Sequence, residues 1–237
     1  MTPASLDARA PGAKVYFKAV QIDGYSFQGS PKVLYEVGVT VVPAPQRETS
    51  GAPRICGPGY LHASNAAGET LIGGSWPCRL FEVTGTPVAG FDGEHTHKGG
   101  FLSLTIEREI EAHRALGPNG AQVVAFIERL KTTTEDDWTV VIRERQRASG
   151  DAARAAARAA AGAAAGAAAW AAARAAAGDA AGDAARAAAR AAAWAAALAL
   201  VARDKLSLEQ FAVLYKPFAT VIPADSLLAE TQPEVTK

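Results

Sequence analysis

The chain has 237 residues, enough for one large or two small domains. Its 24 Lys and Arg balance its 24 Asp and Glu, so charge makes no case for dedicated nucleic-acid binding. Cys56 and Cys78 form neither a disulfide framework nor a zinc-site spacing and read as free thiols in a reducing cytoplasm.

Residues 1–13 are small and polar, with no secretory pattern, and read as a flexible leader. Residues 14–20 and 33–42 are rich in β-branched and aromatic side chains and predict strands. Residues 59–64 predict a turn feeding a strand that displays Tyr60, His62 and Ser64 on one side, as the lining of a ligand pocket. His62 beside Cys56 or Ser64 would also suit a nucleophile, which further needs an oriented base. A strand at 80–83 follows Trp76-Pro77.

Asp92, Glu94, His95 and His97 form the densest polar cluster. Two imidazoles two apart on a strand would share a metal with either carboxylate, and a solvated loop explains the same residues. Residues 101–110 alternate, with Leu102, Leu104, Ile106 and Ile110 on one face and Glu107, Glu109 and Glu111 on the other. Such a carboxylate row is either the wet side of a sheet or a bracket around a cation or ligand hydroxyl. Asn119 reads as the N-cap of a helix over 120–131 whose apolar side is Val123, Val124, Ile127 and Leu130. Residues 134–137 look like a second start, leading into a helix over 138–147. The stretch 14–148 is therefore expected to be an α+β domain, a small curved antiparallel or mixed sheet with one or two helices.

Residues 151–200 change character: 34 of them are alanine, and twelve positions from Arg154 to Leu198 mark every fourth residue with Arg, Gly, Trp or Leu. Alanine predicts helix almost regardless of context. Four residues advance a helix by roughly 400°, so the marked positions drift about 40° per repeat and define no single face over the whole tract. Gly178-Asp179 and Gly182-Asp183 each place a stop before a start, which predicts an Ala-rich helical hairpin or bundle within 149–222. Trp170, Trp194, Arg174 and Arg190 are its candidate interaction surface, with the two indoles over a common patch suited to a partner or a second copy. Five arginines and three aspartates argue against a membrane span in the tract. Ser207 and Gln210 form a capping box for a helix over 208–215 that stops before Pro217, and 223–237 reads as a tail.

Two resemblances rest on these residues. The succession Lys14-Val15-Tyr16-Phe17-Lys18-Ala19, Gly59-Tyr60-Leu61-His62, Arg79-Leu80-Phe81-Glu82-Val83 and Leu104-Thr105-Ile106-Glu107-Arg108-Glu109-Ile110 resembles a family of actinobacterial and phage proteins that often carry Ala/Arg/Trp-rich helical repeats. That family has no established activity, so the resemblance implies context: an accessory protein in the host cytoplasm. Residues 59–64 are also similar to the Gly-aromatic strand of ADP-ribosyltransferases. This second resemblance implies Tyr60 or His62 in a nicotinamide pocket and Glu107 or Glu109 as the catalytic carboxylate. The first strand offers Lys14, Tyr16 and Lys18 in place of that family's His or Arg.

Methyl groups, guanidiniums and indoles make no bonds, so chemistry would have to lie in roughly the first 150 residues, where no catalytic constellation is complete. The expectation is a non-enzymatic, phage-type accessory protein that binds a host or phage protein in the cytoplasm or forms a homodimer, with no cofactor, nucleic acid or membrane. The alternatives are an ADP-ribosyltransferase-like or nucleotide-sequestering protein using NAD or another nucleotide, and a virion structural or decoration protein.

Overall fold

The computed structural model describes residues 14–43, 59–93, 95–147, 171–173, 175 and 186–229. Among these, one open antiparallel sheet contains β1 (Val15–Val20), β2 (Thr40–Val41), β3 (Leu61–Ser64), β4 (Arg79–Thr84), β5 (Pro87–Gly90), β6 (Lys98–Phe101) and β7 (Leu104–Ile110). The strand order is β2-β7-β4-β1-β3-β6-β5. The helices are α1 (Gly120–Lys131), α2 (Glu135–Arg147), α3 (Arg186–Val201), α4 (Leu208–Tyr215) and α5 (Ala224–Ala229). The α+β class holds.

Curvature comes from one long bent hairpin. Its pairs run from Leu80↔Ile110 through Thr84↔Thr105 to Pro87↔Phe101 and Gly90↔Gly99. The base of the hairpin pairs with β1 through β4, whereas its tip pairs with β3 through β6. The bend falls at Gly85-Thr86 and Leu102-Ser103, where the two arms approach so closely that a Cβ on Gly85 would lie 2.6 Å from the Ser103 carbonyl. The strand predicted over 101–110 is therefore broken, and Leu102 lies exposed at the bend instead of on the apolar face. The strand predicted over 33–42 is also reduced, to β2 and a Tyr25↔Leu34 bridge. Gly38 takes a φ of +83° and turns the chain between them.

The inner face of the curved sheet has its own core, including Tyr16, Val20, Tyr35, Leu61, Phe81, Phe101 and Ile106. The outer face is covered by helices. Thr134 and Asp137 cap α2 through their side chains, and Ser207 and Gln210 make the predicted reciprocal box at α4. Asn119 precedes α1 without a side-chain capping bond, and its amide reaches Asp204 instead. Of the predicted apolar side of α1, Val123, Ile127 and Leu130 are buried and Val124 partly so; Phe126 is buried as well.

The alanine helix α3 occupies the centre of this layer, packed against α1, α2 and α4. Ala189, Ala192, Ala193, Ala196, Ala197 and Leu200 are all fully buried. Small side chains let the neighbouring helices come close, and those neighbours bring the large ones. Phe218 contacts Phe126, Trp138 and Tyr215 at ring-centroid distances of 5.1, 5.8 and 6.5 Å. Within the alanine tract itself Leu198 and Leu200 are buried, Trp194 is exposed and Trp170 lies outside the described residues. The cluster runs across residue 149, where composition changes, and past 223 into α5, whose Leu227 is fully buried. The remainder of the predicted hairpin, including its turn at 178–183, lies outside the described residues. Among the described residues no helix is long and apolar enough to cross a membrane.

This arrangement gives a first expected result. Ala193→Leu adds three carbons where neighbouring helices already touch, so it should destabilise by about 1–3 kcal/mol, read as a lower urea midpoint at unchanged slope.

Candidate ligand cleft

β1 and β3 pair only at Phe17↔Ser64. Where the two strands part, a cleft of about 100 Å³ opens, with Lys18, His62, Ser64, Glu69, Thr70 and Lys98 on its walls. Leu61 and Ala63 belong to the inner core, so alternation turns His62 and Ser64 to the outer face of β3. The β3–β6 register places Lys98 opposite Ser64 and Gly100 opposite His62. Lys18 arrives from the other wall. It pairs with Phe81 in the β1–β4 register, between inner-face Tyr16 and Val20, and its amine lies 5.4 Å from the centre of the buried Tyr35 ring.

Burial first, and the Lys98 ammonium second, lower the Lys18 amine from 10.5 to about 8. The neighbouring hydroxyls are committed to the wall. Ser64 Oγ donates to the Glu69 carbonyl at 3.1 Å, and Thr70 Oγ1 donates to the Ala67 carbonyl at 2.7 Å. Ser64 is therefore placed as a structural donor; its proton goes to a main-chain oxygen and not to a base.

The sequence-predicted residues are only partly brought together. His62 and Ser64 share the cleft. Tyr60 lies beyond the cleft walls, its ring 3.3 Å from where a Cβ on Gly100 would stand. Glu107 and Glu109 are on β7, separated from β3 by β4 and β1. Arg79 donates to Glu109 twice, at 3.0 and 2.6 Å, and this guanidinium holds the Glu109 carboxyl below its ordinary range. Glu107 accepts from the Thr84 hydroxyl. The convergence of Tyr60 and His62 with Glu107 and Glu109 that a transferase pocket requires does not form, because the sheet order interposes two strands.

His95 and His97 lie in the β5–β6 connection and not on a strand, and their backbones shape it. His95 donates from its amide to the Asp92 carbonyl at 3.0 Å, and the His97 carbonyl accepts from the Asn65 amide at 3.2 Å. Glu94 lies outside the described residues, among which no three His, Cys, Asp or Glu side chains gather as a metal site. Cys78 is buried, which pushes its thiol up to about 12 and removes it as a nucleophile at neutral pH; Cys56 lies outside the described residues. Trp194 and Arg190 are exposed on α3, whereas Trp170 and Arg174 lie outside the described residues.

Sequence reasoning missed Lys18 and Lys98 as site residues. A readable signal existed at Lys18, a cation at an apolar-phase position of an otherwise inward-facing strand. It also missed buried Glu82, which accepts from Arg108 at 2.9 and 2.8 Å.

A second, wider depression of about 720 Å³ borders 66–69, 111–118 and 201–205. Its rim carries Glu111, His113, Arg114, Asp204 and Lys205, and this mixture of signs selects no ligand charge. In comparisons with known proteins the chain matches no family model, no curated protein and no solved structure.

Proposed function

We propose that this protein works by binding a protein partner and not by catalysis, as an accessory protein acting in a bacterial or phage-infected cytoplasm. The observation that carries the reading is the apolar stretch 22–42. Ile22, Tyr25, Leu34, Val37, Val39 and Val42 are all exposed large hydrophobics, and together they make up half of the twelve such residues among those described. Contiguous exposed apolar surface marks interaction sites, whereas single exposed apolar residues do not, and this clustering along the chain is what supports such a surface here. The stretch includes β2, which ends the sheet and pairs with β7 alone, so extended backbone lies beside apolar side chains. The separation of His62 from Glu107 and Glu109 supports the non-catalytic half of the reading.

The test places a photo-crosslinking residue at Val39 and, as a control, at Val88, which is exposed on the opposite end strand β5. The expected result is a discrete adduct from position 39 in cells, absent from position 88 and lost in a Val37→Asp/Val39→Asp variant of unchanged melting temperature. Light scattering then separates a heterologous partner from a second copy of the chain. Equal adducts from both positions, or none, would overturn the proposal. So would NAD⁺ consumption that disappears in Glu109→Gln.

A further inference from the structure

We propose that Asp92-Gly93 is a modification site, at which the folded chain converts Asp92 spontaneously to isoaspartate through a succinimide. The step needs no co-reactant but water. The Gly93 amide nitrogen attacks the protonated Asp92 carboxyl at Cγ; a C–N bond forms, and the carboxyl hydroxyl leaves as water with the nitrogen's proton. Water then reopens the ring at either carbonyl, restoring aspartate or leaving the main chain routed through Cβ. Glycine in the following position opens the nitrogen to attack, because it has no Cβ to screen it.

The sequence holds three pairs able to close such a ring, Asp23-Gly24, Asp92-Gly93 and Asn119-Gly120, and the fold blocks two of them. Asn119 would react first in an unfolded chain, since at neutral pH an amide is a better electrophile than an ionised carboxylate. Here its ψ of 18° sets the Gly120 nitrogen on the far side of the Cα–C bond from Cβ, so the ring cannot close. Gly120 donates to the Gly117 carbonyl at 3.0 Å, and the Asn119 amide donates to Asp204 at 3.3 Å. Gly120 is buried, with the His113 carbonyl standing where a Cβ would go, so the backbone has no room to rotate. At the first pair, Gly24 donates to the Gln21 carbonyl at 2.9 Å, and the Asp23 carboxylate accepts from the Tyr25 amide at 3.1 Å. Gly24 is buried too.

Asp92-Gly93 has neither restraint. Both residues are exposed in the β5–β6 connection, and beyond its chain neighbours nothing lies within 4 Å of where a Cβ on Gly93 would stand. Among the described residues neither the Asp92 carboxylate nor the Gly93 amide is hydrogen-bonded. The surroundings give the change a structural consequence. Phe91 takes a φ of +57°, a conformation that a bulky residue keeps only when its surroundings hold it there. Its amide donates to the His95 and Lys98 carbonyls at 2.9 and 3.1 Å, and its ring stacks on Tyr16 at 5.2 Å in the space that Gly99 leaves by having no Cβ. The His95 amide in turn donates to the Asp92 carbonyl at 3.0 Å. An isoaspartyl linkage adds one carbon to the main chain inside this turn, breaks its spacing and loosens the seat of the Phe91 ring.

The full chain, incubated below its melting temperature at about pH 6, where part of the carboxyl is protonated, in water enriched in oxygen-18, is digested and mapped by mass spectrometry. A protein-isoaspartate methyltransferase reads the product independently. Heavy oxygen and methyl acceptance are expected at Asp92-Gly93 and not at Asp23-Gly24 or Asn119-Gly120. Asp92→Glu, whose longer side chain would have to close a six-membered ring, should lose both signals at an unchanged melting temperature. The same incubation in guanidinium should reverse the order and put Asn119-Gly120 first, which assigns the selection to the fold. In the modified chain, separated by chromatography, amide exchange at Phe91 and His95 should be faster. Label at Asn119 ahead of Asp92 in the folded chain, an Asp92→Glu chain labelled as strongly as wild type, or the same order folded and unfolded overturns the proposal.

Discussion

Phe218→Ala is expected to cost about 3–5 kcal/mol of folding stability, a large fraction of what a domain of this size possesses. The ring is fully buried, and it touches aromatic side chains from α1, α2 and α4. Its removal leaves a void at the point where those helices meet α3. Most core positions soften such a loss because neighbours change rotamer. Here the adjacent surface of α3 is alanine, which has no rotamer to change, so the cavity should persist. Urea unfolding checks this directly, and a loss below about 1 kcal/mol would show that the aromatic junction is not where the helical layer is held. Tyr215→Phe is the matched mild change. It removes one buried hydrogen bond to the Ile222 carbonyl, 2.8 Å long, and should cost only about 1–2 kcal/mol.

Lys18→Met is expected to act in the opposite direction and stabilise the protein at pH 7. The amine falls from 10.5 in the ordinary state to about 8 in the fold. Between those values the unfolded chain holds a proton that the folded chain has lost, so this group makes stability rise with pH across that window. Below about 8 the folded chain carries the charge at full cost. Allowing for the solvent that the side chain retains, that cost is about 1–3 kcal/mol. Methionine keeps the stem and removes the charge. The variant should therefore be more stable at pH 7, with its advantage shrinking towards pH 10. The difference between the two chains is the quantity to measure, because the raised thiol of Cys78 lowers the stability of both above pH 9. A Met variant less stable than wild type at pH 7, or an advantage independent of pH, would contradict the account.

What could be read from the sequence was what short-range chemistry decides. Ser207 with Gln210, the 134–137 start and the amphipathic stripe of α1 each depend on residues a turn apart, and each stands where expected. The alternation over 101–110 carried no sign of the bend, because period-two patterning continues unbroken through Leu102 and Ser103 while the backbone changes its pairing partner. The cleft was half legible. His62 and Ser64 were visible as one face of a strand, but Lys18 and Lys98, which also line the cleft, arrive from β1 and β6, and only sheet order brings those strands beside β3. The burial of α3 was hidden by composition, since alanine is compatible with any degree of exposure.

The central position of α3 leaves it with a problem of phase. Its buried alanines recur every four residues, at Ala189, Ala193 and Ala197 and again at Ala192 and Ala196. A slip of the helix along its groove by one such period therefore exchanges methyl for methyl at most of these seats. The sequences Ala192-Ala196-Leu200 and Ala193-Ala197-Val201 end that degeneracy. Sliding one way drives Leu200 and Val201 into spaces sized for alanine, and sliding the other way empties theirs. Those two residues act as a detent at the end of an otherwise featureless track. They allow an upstream tract to gain or lose a four-residue unit while the seated helix keeps the same alignment against α1, α2 and α4.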